Sequence, residues 1–366
     1  MADLGSSFVY QALPVRVVFG AGTLARAREE VERLAISRAL VLTTPAQAEH
    51  GLAVTRLLGD RAAGAFHGAV MHTPVAVTDT ALAAFRELGA DGVVAIGGGS
   101  TIGLGKAIAL RTGAPQLAIP TTYAGSEMTP ILGETERGEK TTRRSLDVLP
   151  EAVIYDVDLT LGLPVALSGT SGINAIAHAV EALYARDANP IISLVAEQGI
   201  AALARALPAI AADPGDRAAR NDALYGAWLC GVCLGSVGMA LHHKLCHVLG
   251  GTFDLPHAET HTVVLPYAVA YNAAAAPDAM VRIARALGAG PAGPGRPDAA
   301  TALYELAAAV GARRSLAEIG MPAGEPSALD RAADLAVANP YWNPRPIDRA
   351  AIRELLERAL AGTPPR

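Results

Sequence analysis

Gly92-Val93-Val94-Ala95-Ile96 runs into Gly97-Gly98-Gly99-Ser100 and then into Thr101-Ile102-Gly103-Leu104-Gly105-Lys106-Ala107-Ile108-Ala109-Leu110. A β-branched run, a glycine turn and an apolar helical run in that order read as strand, loop and helix. Three consecutive glycines exceed what a turn needs. They let backbone N–H groups approach a pyrophosphate closely, and the following helix N-terminus adds a favourable dipole. Ser100 offers a hydroxyl and is expected to cap that helix. The loop is therefore read as a phosphate site rather than a plain turn.

Outward from this unit, residues 15–19, 39–43, 116–120 and 152–156 also read as strands, with helical stretches such as 24–34 and 78–88 between them. Strand–helix alternation implies a parallel sheet with helices on both faces. Ligands of such sheets sit at the carboxyl ends of strands. One such end reads Pro120-Thr121-Thr122-Tyr123-Ala124-Gly125-Ser126-Glu127, which makes Thr121, Thr122 and Ser126 candidate cofactor contacts. A second glycine motif, Gly20-Ala21-Gly22-Thr23-Leu24-Ala25, matches the loose dinucleotide fingerprint. The fingerprint also wants an acid about 20 residues on, and the next strand instead ends in Leu42-Thr43-Thr44-Pro45. Alone, that motif is weak.

Beyond Pro164 the pattern changes to long alanine- and leucine-rich helical runs at 172–185, 192–211, 218–241, 300–310 and 349–360, with no convincing strand. The expected organisation is an α/β domain over residues 1–162 and an all-helical domain over 163–366. Hydrophobic residues make up 51% of the 366 and charged ones 18%, which excludes wholesale disorder. Thirty Lys plus Arg against 35 Asp plus Glu leave no basic excess, so neither nucleic acid nor an anionic membrane is an expected partner. Three cysteines are too few for a disulfide scaffold and suit a reducing compartment, here the cytoplasm. Residues 224–241 are uncharged, but their glycines and cysteines fit close helix packing better than a membrane span.

Five of nine histidines fall between His242 and His261. His243 and His247 are four apart and share a helix face, and His257 follows fourteen residues after His243. Upstream, Asn174 and His178 are also four apart, and Glu181 extends their face. One buried histidine is ordinarily a satisfied core residue. Several converging on two helical segments point to a functional site.

Gly97 to Ser100, Pro120-Thr121-Thr122, the Asn174/His178 pair and the spacing of His243, His247 and His257 resemble the iron-containing alcohol dehydrogenase family, over about residues 10–360. The resemblance implies an N-terminal nucleotide-binding α/β domain, a C-terminal helical domain and an active site in the cleft between them. It implies that any divalent metal would be held by His178, His243 and His257, with Asn174 where typical members have an aspartate. The strings Ser171 to Glu181 and His242 to Gly251, with Gly138-Glu139-Lys140-Thr141 and Asn343-Pro344-Arg345-Pro346, are similar to the maleylacetate reductase branch. That branch reduces 2-maleylacetate to 3-oxoadipate with a nicotinamide cofactor in bacterial breakdown of aromatic rings, without needing added metal; the alternative that the resemblance leaves open is a metal-dependent alcohol or polyol dehydrogenase of the same family. The resemblance further implies a homodimer. Family members restricted to NAD carry an aspartate near Thr44, so use of NADH or NADPH is expected. Lys140 matches a family position near the cofactor.

An amide at Asn174 brings no charge, whereas a carboxylate would neutralise half of a divalent ion. The substrate agrees with that change. Maleylacetate is a dianion whose alkene is conjugated to a ketone, so its reduction needs cations, enolate donors and a proton source. Lys244, Arg143, Arg144 and Arg345 are candidate carboxylate partners, and Asn174 a further substrate contact. His178, His243, His247 and His257 are candidate catalytic groups, with Lys140 or Lys244 as further proton sources.

Overall fold

A computed structural model describes residues 7–136, 139–289, 298–339 and 341–365. The chain forms two compact units, Ala12–Leu163 and Pro164–Arg366 with Met1–Gln11.

In the first unit the strands are β1 (Arg16–Gly20), β2 (Ala39–Leu42), β3 (Ala62–Phe66), β4 (Gly92–Gly97), β5 (Gln116–Pro120), β6 (Ile131–Glu136), β7 (Glu139–Arg144) and β8 (Ala152–Asp156). Six of them make one sheet in the order β1-β8-β5-β4-β2-β3, and every pairing is parallel. The helices are α1 (Ala27–Arg33), α2 (Ala48–Leu58), α3 (Val75–Glu87) and α4 (Gly99–Thr112). Side-chain alternation explains how both faces are covered. Val41, Val94 and Ile96 pack with Val31, Val54 and Leu58, whereas Leu40, Leu42, Val93 and Ala95 pack with Leu82, Phe85, Leu104 and Ile108.

Chain direction across the sheet reverses between β2 and β4, which are neighbours: β2 leads outward to the edge strand β3, and β4 leads back to β5. Crevices at such reversals, beyond the carboxyl ends of the strands, are where open sheets bind ligands. The glycine loop at Gly97 and the Thr44 segment flank this one.

Two features went unread in the sequence. β3, Ala62-Ala63-Gly64-Ala65-Phe66, has no β-branched residue and is held by its place at the edge. The antiparallel hairpin β6–β7 is the other.

Residues 126–131, which lead into that hairpin, are tied down by Lys106, a fully buried ammonium that donates to Ser126 O (2.6 Å), Thr129 O (2.8 Å), Thr129 Oγ1 (2.9 Å) and Ile131 O (2.9 Å). Burial pushes the Lys106 ammonium down to about 7, and the nearby Glu127 works against that fall.

The second unit contains α5 (Val165–Leu183), α6 (Pro190–Ala212), α7 (Arg217–Ser236), α8 (Leu241–Phe253), α9 (His257–Asn272), α10 (Pro277–Ala286), α11 (Ala299–Ala309), α12 (Pro326–Val337) and α13 (Arg349–Ala361). It has no strand among the described residues. Helices α6 and α7 cross through Gly199 and Gly226, where a Cβ on Gly226 would come 3.0 Å from Gly199 O and 2.8 Å from Leu203. Small residues let the two backbones approach, and α5 lies buried along most of its length.

The expected single helix over 218–241 is corrected. Helix α7 stops at Ser236, and α8 starts at Leu241 after a turn of 95°. Competing acceptors explain the break: Gly238 N donates to Asp187 Oδ1 at 3.0 Å, and Ala240 N donates to Glu181 Oε2 at 2.8 Å. Among the described residues one helix, Pro190–Ala212, is long and apolar enough to cross a membrane, and half of its apolar window is buried within the fold.

Candidate active site

In the first unit, Gly97 ends β4 with φ of +152°, and a Cβ there would meet Thr101 Oγ1 at 2.5 Å and Gln47 Oε1 at 2.8 Å. Only glycine fits that conformation and that space. Gly98 is the N-cap of α4, with an ordinary φ of −87° and no side-chain cap. Ser100 therefore lies inside the helix, which corrects the expectation that it caps it. The free N–H groups of the first helical turn remain the donors a phosphate would use.

Three loops are knitted together here. Thr121 N donates to Gly97 O (3.1 Å), Gln47 Nε2 donates to Thr121 Oγ1 (2.8 Å), and Thr44 Oγ1 donates to Gln47 Oε1 (3.3 Å). A Cβ on Gly98 would stand 3.2 Å from Thr122 Cγ2, whereas one on Gly99 would meet open space. Ser126 is half-buried, its carbonyl held by Lys106. Gln47 had no signal in the sequence beyond lying three residues after Thr44.

The other glycine motif is already used. Asp156 accepts from Gly22 N (3.0 Å) and Leu24 N (2.7 Å), so a carboxylate of the chain occupies the donors a phosphate would need.

In the second unit, α5 turns Asn174, His178 and Glu181 to one buried face. Helix α8 contributes His242, His243, Cys246 and His247; α9 opens with His257 and carries His261 one turn later. Asp254, with φ of +53°, ends α8 and lets the chain return through Pro256. The rings gather closely: His178–His243 5.2 Å between centroids, His243–His261 5.0 Å, His242–His261 4.8 Å and His257–His261 4.4 Å. His257 and His247 are exposed at the rim, and the His247 ring lies 6.4 Å from that of His243.

Four polar atoms in this group are buried with no hydrogen-bond partner: Asn174 Oδ1, His178 Nδ1, His243 Nε2 and His261 Nε2. Buried polar atoms are normally satisfied, so such a concentration marks a place where something binds. Burial, reinforced by the neighbouring imidazoles, holds His178, His242 and His261 well below the usual histidine range. These three rings are neutral in the folded chain.

His242, Cys246 and His261 place their ligand atoms within 4.8 Å of one another. Their arrangement is a hydrogen bond beside a thiol. His242 Nε2 lies 2.9 Å from His261 Nδ1, and Cys246 Sγ sits 3.7–4.0 Å from both nitrogens of the His242 ring. A tetrahedral ion with ring nitrogens at about 2.0–2.1 Å would hold two of them about 3.4 Å apart.

The candidate cations are placed as follows. Lys244 is half-buried, its Nζ 5.7 Å from the centre of the Tyr341 ring. Arg345 stacks at 4.1 Å on Tyr271 and donates to Tyr271 O at 3.3 Å. Arg143 and Arg144 are exposed on β7. Lys140 lies on the same strand, with its side chain outside the described residues, as is Gly138. One residue of the string around Arg345, Asn343, holds the start of a helix. Asn343 and Asn272 exchange amide hydrogen bonds at 2.7 and 3.1 Å, and Asn343 Oδ1 also receives Leu241 N at 3.3 Å, at the start of α8.

Comparison with known proteins covers both units. Residues 14–157 match the family description "Iron-containing alcohol dehydrogenase", and residues 168–360 match "Fe-containing alcohol dehydrogenase family, C-terminal". The chain is 58% identical to a maleylacetate reductase of Rhizobium sp. (strain MTP-10005), over 98% of this chain and 99% of that one. It is 59% identical to a maleylacetate reductase of Sphingobium indicum, with the same coverage. The crystal structure of a maleylacetate reductase from Agrobacterium tumefaciens superposes with a TM-score of 0.93 at 58% identity, covering 98% of this chain and all of the other.

Proposed function

The chain belongs to the iron-containing alcohol dehydrogenase family, and we infer that it is an NAD(P)H-dependent oxidoreductase that reduces 2-maleylacetate to 3-oxoadipate. The observation that carries the reading to particular residues is the set of unpartnered buried atoms on Asn174, His178 and His243, within a chain alike over 98% of its length to maleylacetate reductases. The cofactor is assigned to residues 1–162, through Gly97, Gly98, Gly99, Ser100, Thr121, Thr122, Ser126, Thr44 and Lys140. Substrate and catalysis are assigned to residues 163–366.

When bound, the reduced nicotinamide supplies the hydride that adds to the alkene carbon β to the ketone, leaving negative charge on the ketone oxygen. The residues must then hold that oxygen and return a proton to carbon. His243 donates its Nδ1–H to Glu181, so Nε2 is the atom that can take up a proton and pass it to the substrate. His257, exposed at the rim, is proposed to donate to the enolate oxygen, and Asn174, whose Oδ1 is buried without a partner, to meet a polar group of the substrate. Lys244 and Arg345 are proposed partners for the two carboxylates, and His247 a further donor.

The family's name raises a metal. Ring nitrogens of His178, His243 and His257 with the amide oxygen of Asn174 are donors that zinc or ferrous ion accepts, and there an ion would act as a Lewis acid. The set carries no charge of its own, and the nearby carboxylate, Glu181, is spent on Ala240, His242 and His243. An uncharged set can still hold zinc, and the reading proposed is that protein donors carry the reduction without added metal.

The apolar run Phe8-Val9-Tyr10, exposed on the single chain, suits a homodimer in which a second copy covers it. The free, buried Cys230, Cys233 and Cys246 suit the cytoplasm. The test is NADH oxidation with freshly prepared maleylacetate; turnover of simple alcohols or aldehydes but not of maleylacetate would overturn the reading.

A further inference from the structure

Glu181 is fully buried and accepts three hydrogen bonds from one short stretch of chain. Oε2 receives Ala240 N at 2.8 Å and His243 Nδ1 at 2.7 Å; Oε1 receives His242 N at 2.8 Å. Ala240 is the N-cap of α8 and has no side chain with which to cap it. The first turn of a helix leaves backbone N–H groups without partners, and its dipole favours a negative charge beside them. Glu181, reaching across from α5, meets both needs, and Asn343 takes the intervening N–H of Leu241. A carboxylate this deep is costly unless hydrogen-bonded on both oxygens, and this one is.

The same contact decides the state of a ring. An ionised carboxylate can only accept, so His243 Nδ1 carries the proton. Nε2 is then the atom that faces away from Glu181, buried and with no protein partner. His178, whose ring lies 5.2 Å from that of His243, leaves its Nδ1 unpartnered in the same pocket.

We propose that Glu181 is a positioning residue for the reduction: it fixes His243 in the Nδ1–H form, with Nε2 presented to the substrate, and sets the first turn of α8 that carries the ring. The proposal rests on the reading that His243 acts on maleylacetate.

Glu181→Gln keeps the shape but turns an acceptor into a donor at one position. An amide NH₂ facing Nδ1 requires that nitrogen to accept, which moves the proton to Nε2. The expected result is a fall in kcat of about 10- to 100-fold, the usual scale for losing a group that orients a site ligand. KM for NADH should stay within about twofold, since only binding shared by ground and transition states would move it. In a His243→Ala background the same substitution should change kcat by less than about twofold, because the path through His243 is already gone. A folded Glu181→Gln enzyme with kcat within about twofold of wild type, or an equal loss in both backgrounds, overturns the proposal.

Nitrogen NMR of histidine-labelled wild type, with His243 identified by its loss in His243→Ala, reads the ring directly. A protonated Nδ1 with a bare Nε2 is expected; the reverse overturns the proposal even if Glu181→Gln does not fold. Failure of wild type to turn over maleylacetate would sink the functional reading, while the ring measurement still decides the case for Glu181.

Discussion

Acidification should unfold the helical unit more readily than the sheet-bearing one, by an amount the histidine cluster fixes. His178, His242 and His261 are held well below their ordinary value of 6.5 by burial and by one another. A depressed value in the folded state means that, as pH falls through 6.5, the unfolded chain takes up protons the folded chain refuses. The stability is therefore present at neutral pH and lost on acidification. Between about pH 7.5 and about pH 5.5 each such ring costs about 1.4 kcal/mol, so the three together cost about 4 kcal/mol. That is a large share of the roughly 5–15 kcal/mol by which domains are stable. Both tryptophans, Trp228 and Trp342, lie in the helical unit, so their fluorescence reports its unfolding alone. Urea titrations at the two pH values give the difference, and His261→Gln should reduce it by about 1.4 kcal/mol. A difference under about 1 kcal/mol, or one unmoved by His261→Gln, would refute the claim that these rings are buried and neutral.

Two further outcomes follow from the nucleotide unit. Gly97→Ala should weaken NADH binding by about 10- to 100-fold, roughly 1–3 kcal/mol of backbone strain and crowding against Thr101 and Gln47, without altering tryptophan fluorescence; an unchanged Kd by cofactor fluorescence titration would make the loop a plain turn. With Thr44 and no carboxylate at the end of β2, kcat/KM should favour NADH over NADPH by less than about a thousandfold, or roughly 4 kcal/mol; a larger ratio would mean that another residue repels the 2′-phosphate.

The sheet was legible because Gly92 to Leu110 changes period from two to helical across three glycines, and the neighbouring strands repeat that pattern. β3 was not, because its alanines and glycine carry no strand preference and its place comes from pairing with β2. The break between α7 and α8 was hidden for a related reason. The sequence is apolar and helix-compatible throughout, and what stops the helix is a pair of distant carboxylates, Asp187 and Glu181, taking its backbone donors. The histidine spacing revealed that a site exists and named His178, His243 and His257. It did not reveal that His242 and His261 pair behind them, or that Asn343 and Asn272 hold the start of α8. Those contacts join residues between 19 and 102 positions apart.

The central claim is that an uncharged donor set around Asn174, with Glu181 fixing His243, carries out the reduction through protein groups. Metal content and NADH oxidation with maleylacetate, measured on the same preparation before and after exhaustive chelation, test it most directly. The account predicts full activity in the chelated enzyme with no stoichiometric metal, and in an Asn174→Asp variant tighter zinc binding with slower maleylacetate reduction. An enzyme that arrives with one metal per chain, loses its activity with the metal and regains it on adding zinc or ferrous ion would contradict the account.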